Sequence, residues 1–464
     1  MKENRSLAIS TVIQKHQKSN ILNLLESVFP DQVLEKEIPG TVRNRVFSIH
    51  TTLLTMVLTA TQEDKSLKNS VALYYGLHQK IRAKLQEDAL SEIKKYELES
   101  KKNPRAGRPR KKTLSIPKSK EKDISLNTAA FSKARTRLPL ELTRELFSAS
   151  RLKRVKNQYS HWHNRRVFIG DGTYVQMQDT PELRDKYKVM YKGVPKIGYP
   201  QGLIVAVIER GTGQITTFDI SNRHKSELAL FYDLIDRLPE GSILLLDDLY
   251  NCYEIFAKCI RKNIDIIVPA KRERKHQVIK RISENDEIIE VKMPTKHSPW
   301  LTGTENTQKQ IKLRQIKCMS PDGKEYKLHS TVLDEKIRAD EFQIQYLTRW
   351  DIEIGIREIK TIMDINILRS KTPEMVLKEL NVSLATYNLI RQIIYEGIKK
   401  MPFPPEEDFI QEFYTLNKNI FVDKKGRVYA RWSTGRRRTK GVDKKRDAAK
   451  AETVEEVSQK NKGR

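Results

Sequence analysis

The sequence predicts an α/β protein in which a mixed sheet carries the chemistry and a helical region precedes it. Two short apolar runs, at 167–170 and 243–246, each end in aspartate, as buried strands with an acidic last residue do. From about 164 to 270, strand-like and helix-like patterns alternate. That order of elements is typical of α/β domains with functional groups at strand ends.

The elements follow one another in a consistent order along the chain. Residues 1–150 form the helical region, interrupted at about 99–124 by a charged, proline-containing linker. Residues 151–270 and 345–400 form the predicted core, and strand-like alternation at 271–344 predicts a mainly β insertion within it. The basic, polar tail at 401–464 is predicted to be disordered until it meets a partner. Within the core we predict strands at 202–208, 214–220 and 264–269, and helices at 225–238 and 253–262.

The charge of the chain indicates the class of its partner. It has 87 Lys and Arg against 59 Asp and Glu, a net charge of +28, which favours a polyanion and salt-dependent binding. No apolar run approaches the roughly 18 residues of a membrane-spanning helix, so nucleic acid is predicted rather than a membrane. Because residues 1–6 lead into no signal-peptide core, we expect a cytoplasmic protein. The three cysteines have no zinc-ligand spacing.

Four polar side chains near residue 350 share one predicted helix face. At about 100° per residue, they fall within an arc of about 60°, beside a separate apolar stripe. A carboxylate flanked by a phenol and two cations suits a site that holds a metal and grips phosphates. The same spacing also occurs on ordinary solvated helix faces. The polar residues are Tyr346, Arg349, Glu353 and Lys360, and the stripe is Ile352, Ile356, Ile359 and Met363.

Three carboxylates form a candidate metal site. Asp171 ends the first apolar run, Asp247 ends the second, and Glu353 lies on the predicted helix. Hard Mg²⁺ or Mn²⁺ ions prefer carboxylate oxygen, and two such ions can activate and stabilise the oxygens of a phosphodiester. An aspartate at a strand end can also simply cap the next turn. Asp248 adjoins Asp247, and because strand side chains alternate between faces, only one of the two is expected to face the site.

These motifs resemble those of the DDE transposases of bacterial insertion sequences, specifically the insertion-sequence-four family. The spacing Tyr-x2-Arg-x3-Glu-x6-Lys matches the Y-R-E-K signature of the family without a gap. The similarity runs from about residue 50 to residue 395. Further matching segments lie at 125–128, 137–139, 171–173, 179–181, 244–253 and 368–375.

The resemblance implies an RNase H-like core and assigns roles to the candidate residues. Asp171, Asp247 and Glu353 would hold two Mg²⁺ or Mn²⁺ ions, which makes them both metal ligands and catalytic residues. In the family, aromatic residues follow the second catalytic Asp by three and six positions. Tyr250 and Tyr253 have this spacing from Asp247, which favours Asp247 and leaves Asp248 as the alternative.

The resemblance also implies a reaction and its partners. Arg349 and Lys360 would bind strand phosphates, and Tyr346 would bond a phosphate oxygen or support Glu353. The implied reaction is cut-and-paste transposition on double-stranded DNA, with transposon ends and target as substrates and a homodimer on the DNA. The protein would be nucleoid-associated when bound. Two alternatives remain: a metal-dependent nuclease of the same fold, and a transposase-derived DNA-binding protein without catalysis.

Three further residues are candidates for DNA contact. Arg108 and Arg110 lie in a Gly-Arg-Pro-Arg segment that resembles the AT-hook, a peptide that enters narrow minor grooves. The same segment can also be a solvated basic linker that contacts phosphates alone. Trp300 lies in the insertion, where some relatives use a tryptophan to stabilise a flipped base. An ordinary core or interface aromatic is the competing interpretation of Trp300.

Overall fold

The structure, a computed structural model, covers the core of the chain. It describes residues 47–76, 127–152, 160–295, 308–319, 324–399, 420–422 and 428–430, except 63, 188–189, 192–193, 196–197, 223, 273 and 362. The predictions for Arg108, Arg110 and Trp300 lie outside the described residues, as do most of the linker and the tail. The chain divides into two compact units, Met1–Ile398 and Lys399–Arg464. In the second unit, β14 (Ile420–Val422) pairs antiparallel with β15 (Val428–Ala430).

A mixed sheet organises the first unit, and this confirms the predicted α/β class. Eleven strands of the described residues belong to it, in the order β6-β5-β2-β7-β8-β12-β11-β10-β9, with β1 and β13 also paired to β2. β2, β7 and β8 run parallel, whereas β5 and β6 continue the sheet antiparallel. The strands are β1 (His161–Trp162), β2 (Arg165–Met177), β3 (Met190–Tyr191), β4 (Val194–Pro195), β5 (Gln201–Glu209), β6 (Ile215–Asn222), β7 (Ile243–Leu245), β8 (Asp265–Pro269), β9 (Gln277–Ser283), β10 (Asp286–Lys292), β11 (Gln310–Met319), β12 (Glu325–Ser330) and β13 (Ile367–Leu368).

Helices cover both faces of this sheet, which explains why its central strands are continuous apolar runs. Leu244 and Leu246 pack on one face against α5 and α6, and Leu245 packs on the other face with α8 and α9. No helix among the described residues is long and apolar enough to cross a membrane. The helices are α1 (Ile49–Ala60), α2 (Ala129–Arg137), α3 (Leu140–Ala149), α4 (Pro181–Tyr187), α5 (Glu227–Ile235), α6 (Tyr253–Arg261), α7 (Ala339–Leu347), α8 (Trp350–Thr361) and α9 (Pro373–Lys399).

The strands after β8 extend the central sheet. The predicted strand-like alternation in this part of the chain is confirmed by β10, β11 and β12. β12 pairs antiparallel with β8, so that the hydrogen-bonded ladder passes without interruption from the central strands into these later ones. The segment therefore gains a rigid attachment to the strands that carry the candidate site.

The prediction that the first acidic strand ends at Asp171 is wrong. β2 continues for six residues to Met177, and it pairs with β5 as far as Gln176↔Gln201. β13 then adds parallel pairing at the end of β2. Apolarity marks only the buried part of the strand, whereas hydrogen bonding to two neighbours keeps the more exposed part extended. Asp171 therefore lies in the middle of a strand.

Candidate active site

The pairing of β2 with β7 brings two aspartates together. Ile169 pairs with Leu245 in parallel register as the last pair of this ladder, and Asp171 and Asp247 each follow that pair by two residues. The charge of Asp247 raises the pKa of Asp171, so the two carboxylates lie close together. Side chains in register on parallel strands point to the same face. Asp247 caps the short 3-10 helix Asp248–Tyr250, because its carboxylate accepts a hydrogen bond of 2.7 Å from the amide of Leu249. This register favours Asp247 over Asp248 as the partner of Asp171.

Asp248 makes a different contact. Its carboxylate forms an ion pair of 2.5 Å with Lys271, on the segment that follows β8. The ammonium of a neighbouring lysine already stabilises the charged form of a carboxylate, so a metal ion would add less stabilisation there.

The environment of Asp171 concentrates negative charge. Burial, together with the charges of Glu227 and Asp247, raises the pKa of Asp171 to about 6. The hydrogen bond from the amide of Gly172, at 2.8 Å, and the guanidinium of Arg349 act in the opposite direction. Carboxylates whose charge is not neutralised are the donors that a hard divalent cation stabilises. The chemistry of this donor set therefore fits Mg²⁺ or Mn²⁺.

Glu227, which sequence reasoning missed, lies between the two aspartate-bearing segments. The hydroxyl of the buried Tyr250 donates a hydrogen bond of 2.6 Å to its Oε1. A Cβ at Gly172 would lie 2.4–2.7 Å from its carboxylate atoms, so Gly172 leaves the space that Glu227 occupies. Burial raises the pKa of Glu227, and Asp247 raises it further. Only the glycine in mid-strand, a mark of close approach, could have indicated this contact from sequence.

Tyr346 lies in the last turn of α7 and Arg349 in the turn between α7 and α8, so the prediction of one continuous helix is wrong. α7 ends at Leu347 and α8 begins at Trp350. The hydroxyl of Thr348 donates to the Gln345 carbonyl at 2.7 Å, and the amide of Arg349 donates to the Tyr346 carbonyl at 2.9 Å. A threonine hydroxyl that bonds the preceding turn competes with the helical pattern.

The guanidinium of Arg349, in the turn, lies next to the phenol of Tyr346, in the preceding helix. The Arg349 guanidinium lies 5.9 Å from the ring centroid of Tyr346. Burial raises the pKa of Tyr346, Arg349 lowers it, and the charges of Asp247 and Asp248 raise it. Tyr346 and Arg349 therefore both lie within electrostatic reach of the aspartates.

α8 positions the remaining candidates against β2. The predicted apolar stripe is confirmed, since Ile352, Ile359 and Met363 are buried. The ammonium of Lys360 donates a hydrogen bond of 3.0 Å to the hydroxyl of Thr173, which lies two residues after Asp171.

Glu353 also lies on α8, but its side chain is not among those that the structure describes. Among the side chains that are described, no group of three or more His, Cys, Asp or Glu could hold a metal ion.

A buried polar network holds α8 in position. The hydroxyl of Tyr387 on α9 donates to Glu358 on α8 at 3.0 Å, and Arg391 lies 3.5 Å from the same carboxylate. Arg391 also donates to the Thr212 carbonyl at 3.0 Å. A Cβ at Gly213, where φ is +67°, would lie 2.2–2.8 Å from this guanidinium. The turn between β5 and β6 is thereby joined to both helices.

Comparisons with known proteins place the chain among transposases. A family model described as Transposase DDE domain matches residues 162–389. The chain is 27% identical over 280 residues to the transposase InsG for insertion sequence element IS4 of Escherichia coli (strain K12). That alignment covers 58% of this chain and 61% of the relative, so the chain spans about three fifths of the length of that protein.

A likeness to a solved structure is weaker. The cryo-EM structure of a piggyBac transposase synaptic complex with hairpin DNA is 10% identical, with a TM-score of 0.30. It covers 55% of this chain and 52% of the other.

Proposed function

Because the chain belongs to the DDE transposases of the IS4 type, we propose that it catalyses cut-and-paste transposition of an insertion sequence. It binds the terminal inverted repeats in double-stranded DNA, hydrolyses phosphodiester bonds and joins the freed 3′-hydroxyl ends to target DNA. The observation that supports this reaction best is the proximity of Asp171 to Asp247 and Arg349, two residues beyond the last parallel pair of β2 and β7.

We assign a separate role in this reaction to each candidate residue. Asp171, Asp247 and Glu353 hold two Mg²⁺ or Mn²⁺ ions, which when bound activate the attacking oxygen and stabilise the leaving oxygen. Arg349 and Lys360 bind strand phosphates and fix the scissile bond against the aspartates. Tyr346 bonds a phosphate oxygen or supports Glu353.

The wider organisation is part of the same proposal. The sheet and its helices form an RNase H-like core with a mainly β insertion, and the helical N-terminal region binds DNA. Arg108 and Arg110 contact the minor groove or its phosphates, and Trp300 stabilises a flipped base. Since two element ends must be joined in one complex, the active form on DNA is a homodimer.

A cutting and joining assay tests the proposal directly. The substrate is duplex DNA that carries the inverted repeats flanking the gene, incubated with protein in Mg²⁺ or in EDTA. Metal-dependent cutting followed by joining to a target plasmid is the expected result. Cutting without joining would identify a nuclease, and binding without cutting at every salt and metal concentration would identify a non-catalytic DNA-binding protein.

Glu227→Gln is expected to slow cutting about 10- to 100-fold, as loss of a group that supports metal ligands typically does. Glutamine keeps the shape and accepts the hydrogen bond from Tyr250, but it removes the negative charge beside Asp171 and Asp247. Cutting rates are measured against Mg²⁺ concentration, with DNA affinity and Tm as checks. The matched control is Glu182→Gln, an exposed acid in the first turn of α4. Equal rates in both variants at every Mg²⁺ concentration would refute a role for Glu227.

A further inference from the structure

A pocket of about 240 Å³ lies among residues of α1, α2 and α9 and of the segments that follow α1 and β13. Its lining is rich in groups that bind anions. The polar lining residues are Lys65, Arg135, Arg369, Glu379, Thr59 and Ser383. None of these residues belongs to the candidate active site.

Arg135 has a buried donor that the described residues do not use. Its Nε is inaccessible to solvent and has no hydrogen-bond partner in the described part of the chain. The guanidinium lies 5.6 Å from the ring centroid of Phe131, and burial lowers the pKa of Arg135. Buried donors in native proteins are almost always paired with protein, water or an ion. The Nε is closed off from solvent, so Arg135 contributes to the pocket through its positive charge.

Lys65 is held against the pocket by an uncommon backbone conformation. Its φ is 51°, in the left-handed region that non-glycine residues rarely adopt and that is often associated with function. The ammonium donates to the Ala60 carbonyl at 2.5 Å. Burial lowers the pKa of Lys65 to about 8, although Asp364 and Glu379 raise it. A bound anion would stabilise this partly desolvated ammonium.

The single carboxylate in the lining, that of Glu379, is too little to balance the positive charges of the pocket. Its carboxylate accepts hydrogen bonds from the backbone amides of Arg369, at 3.0 and 3.1 Å, and Ser370, at 2.8 Å. The Arg369 guanidinium pairs with Asp364 at 3.0 Å. The lining thus carries three cations and one carboxylate, and even with Asp364 counted beside it an excess of one positive charge is left.

We propose that this pocket binds a phosphate of the DNA backbone, an assignment that rests on the proposed function. Arg369 follows β13, in which Leu368 pairs with Met177, six residues beyond Asp171 on β2. At about 3.3 Å per residue, this separation is about 20 Å, or about six base pairs of duplex. A duplex whose scissile bond lies at Asp171 is long enough to reach the pocket.

Lys65→Met tests the proposal, with Lys68→Met as a matched control that removes the same charge from an exposed position three residues away. Two measurements are made on the full chain: the shift of Tm by inorganic phosphate, and the slope of log binding constant against log salt for end DNA. If phosphate binds in the pocket, it raises the Tm of wild type and of Lys68→Met but not of Lys65→Met. The same binding also predicts a salt slope smaller in magnitude by about 1 in Lys65→Met.

Two other results would contradict the phosphate site, and they differ in what they imply for the proposed function. A Lys65→Met variant with the phosphate response and salt slope of wild type would overturn the pocket, while cutting and joining by wild type would leave the proposed function standing. A wild-type protein that responds to phosphate but binds no DNA would overturn both the DNA assignment of the pocket and the proposed function.

Discussion

Asp247→Asn is expected to slow DNA cutting about 10³-fold or more, whereas Asp248→Asn is expected to remain within about tenfold of wild type. The two residues are adjacent and chemically identical, so only their positions distinguish them. The charge of Asp247 acts on Asp171, two residues beyond the last parallel pair of β2 and β7, whereas Asp248 is paired with Lys271. A metal ligand supplies several kcal/mol of transition-state stabilisation, which a neutral amide does not replace.

The measurement is single-turnover cutting of end DNA in Mg²⁺, with DNA affinity from mobility shifts. Asp171→Asn and Glu353→Gln remove the other two proposed metal ligands and should match Asp247→Asn in rate. All four variants should bind DNA about as tightly as wild type, because the basic surface is unchanged. A severe loss in Asp248→Asn with normal cutting by Asp247→Asn would reverse the assignment.

The sequence was sufficient to predict the α/β class because its signals are local. The apolar runs before Asp171 and Asp247 correspond to strands, and the stripe through Ile352 and Ile359 corresponds to a buried helix face. Such periodicities depend only on which side of an element is buried. The choice between Asp247 and Asp248 could not be derived in this way, because register is a property of two strands that are far apart in sequence.

Two features of the site depended on contacts that periodicity does not encode. The break between α7 and α8 coincides with a hydrogen bond of the Thr348 hydroxyl to the preceding turn, yet threonine is also common inside helices. Glu227 resembles an ordinary acidic residue in the first turn of a helix. Its contact with Gly172 and Tyr250 becomes visible only when α5 is packed against β2 and the turn after β7.

Arg314→Met is expected to lower the free energy of unfolding by about 3–5 kcal/mol, because it leaves a buried charge without its partner. Arg314 is 1% exposed and bonds both oxygens of the buried Asp286, at 2.8 and 2.5 Å. It also donates to the carbonyls of Asp334 and Ile337, at 2.6 and 2.7 Å. These carbonyls precede α7, so the guanidinium joins β10 and β11 to the segment that leads to Tyr346.

Urea unfolding followed by circular dichroism measures the loss, and two controls separate burial from charge. Lys280→Met removes a cation from an exposed ion pair with Glu335 and should cost less than about 1 kcal/mol. The double variant Arg314→Met/Asp286→Leu removes both buried charges and should recover most of the stability. A double variant as unstable as Arg314→Met would show that the lost bonds to the two carbonyls, and not the unpaired carboxylate, dominate. Because those bonds fix the approach to α7, the double variant should still cut DNA more slowly than wild type even when its stability is restored.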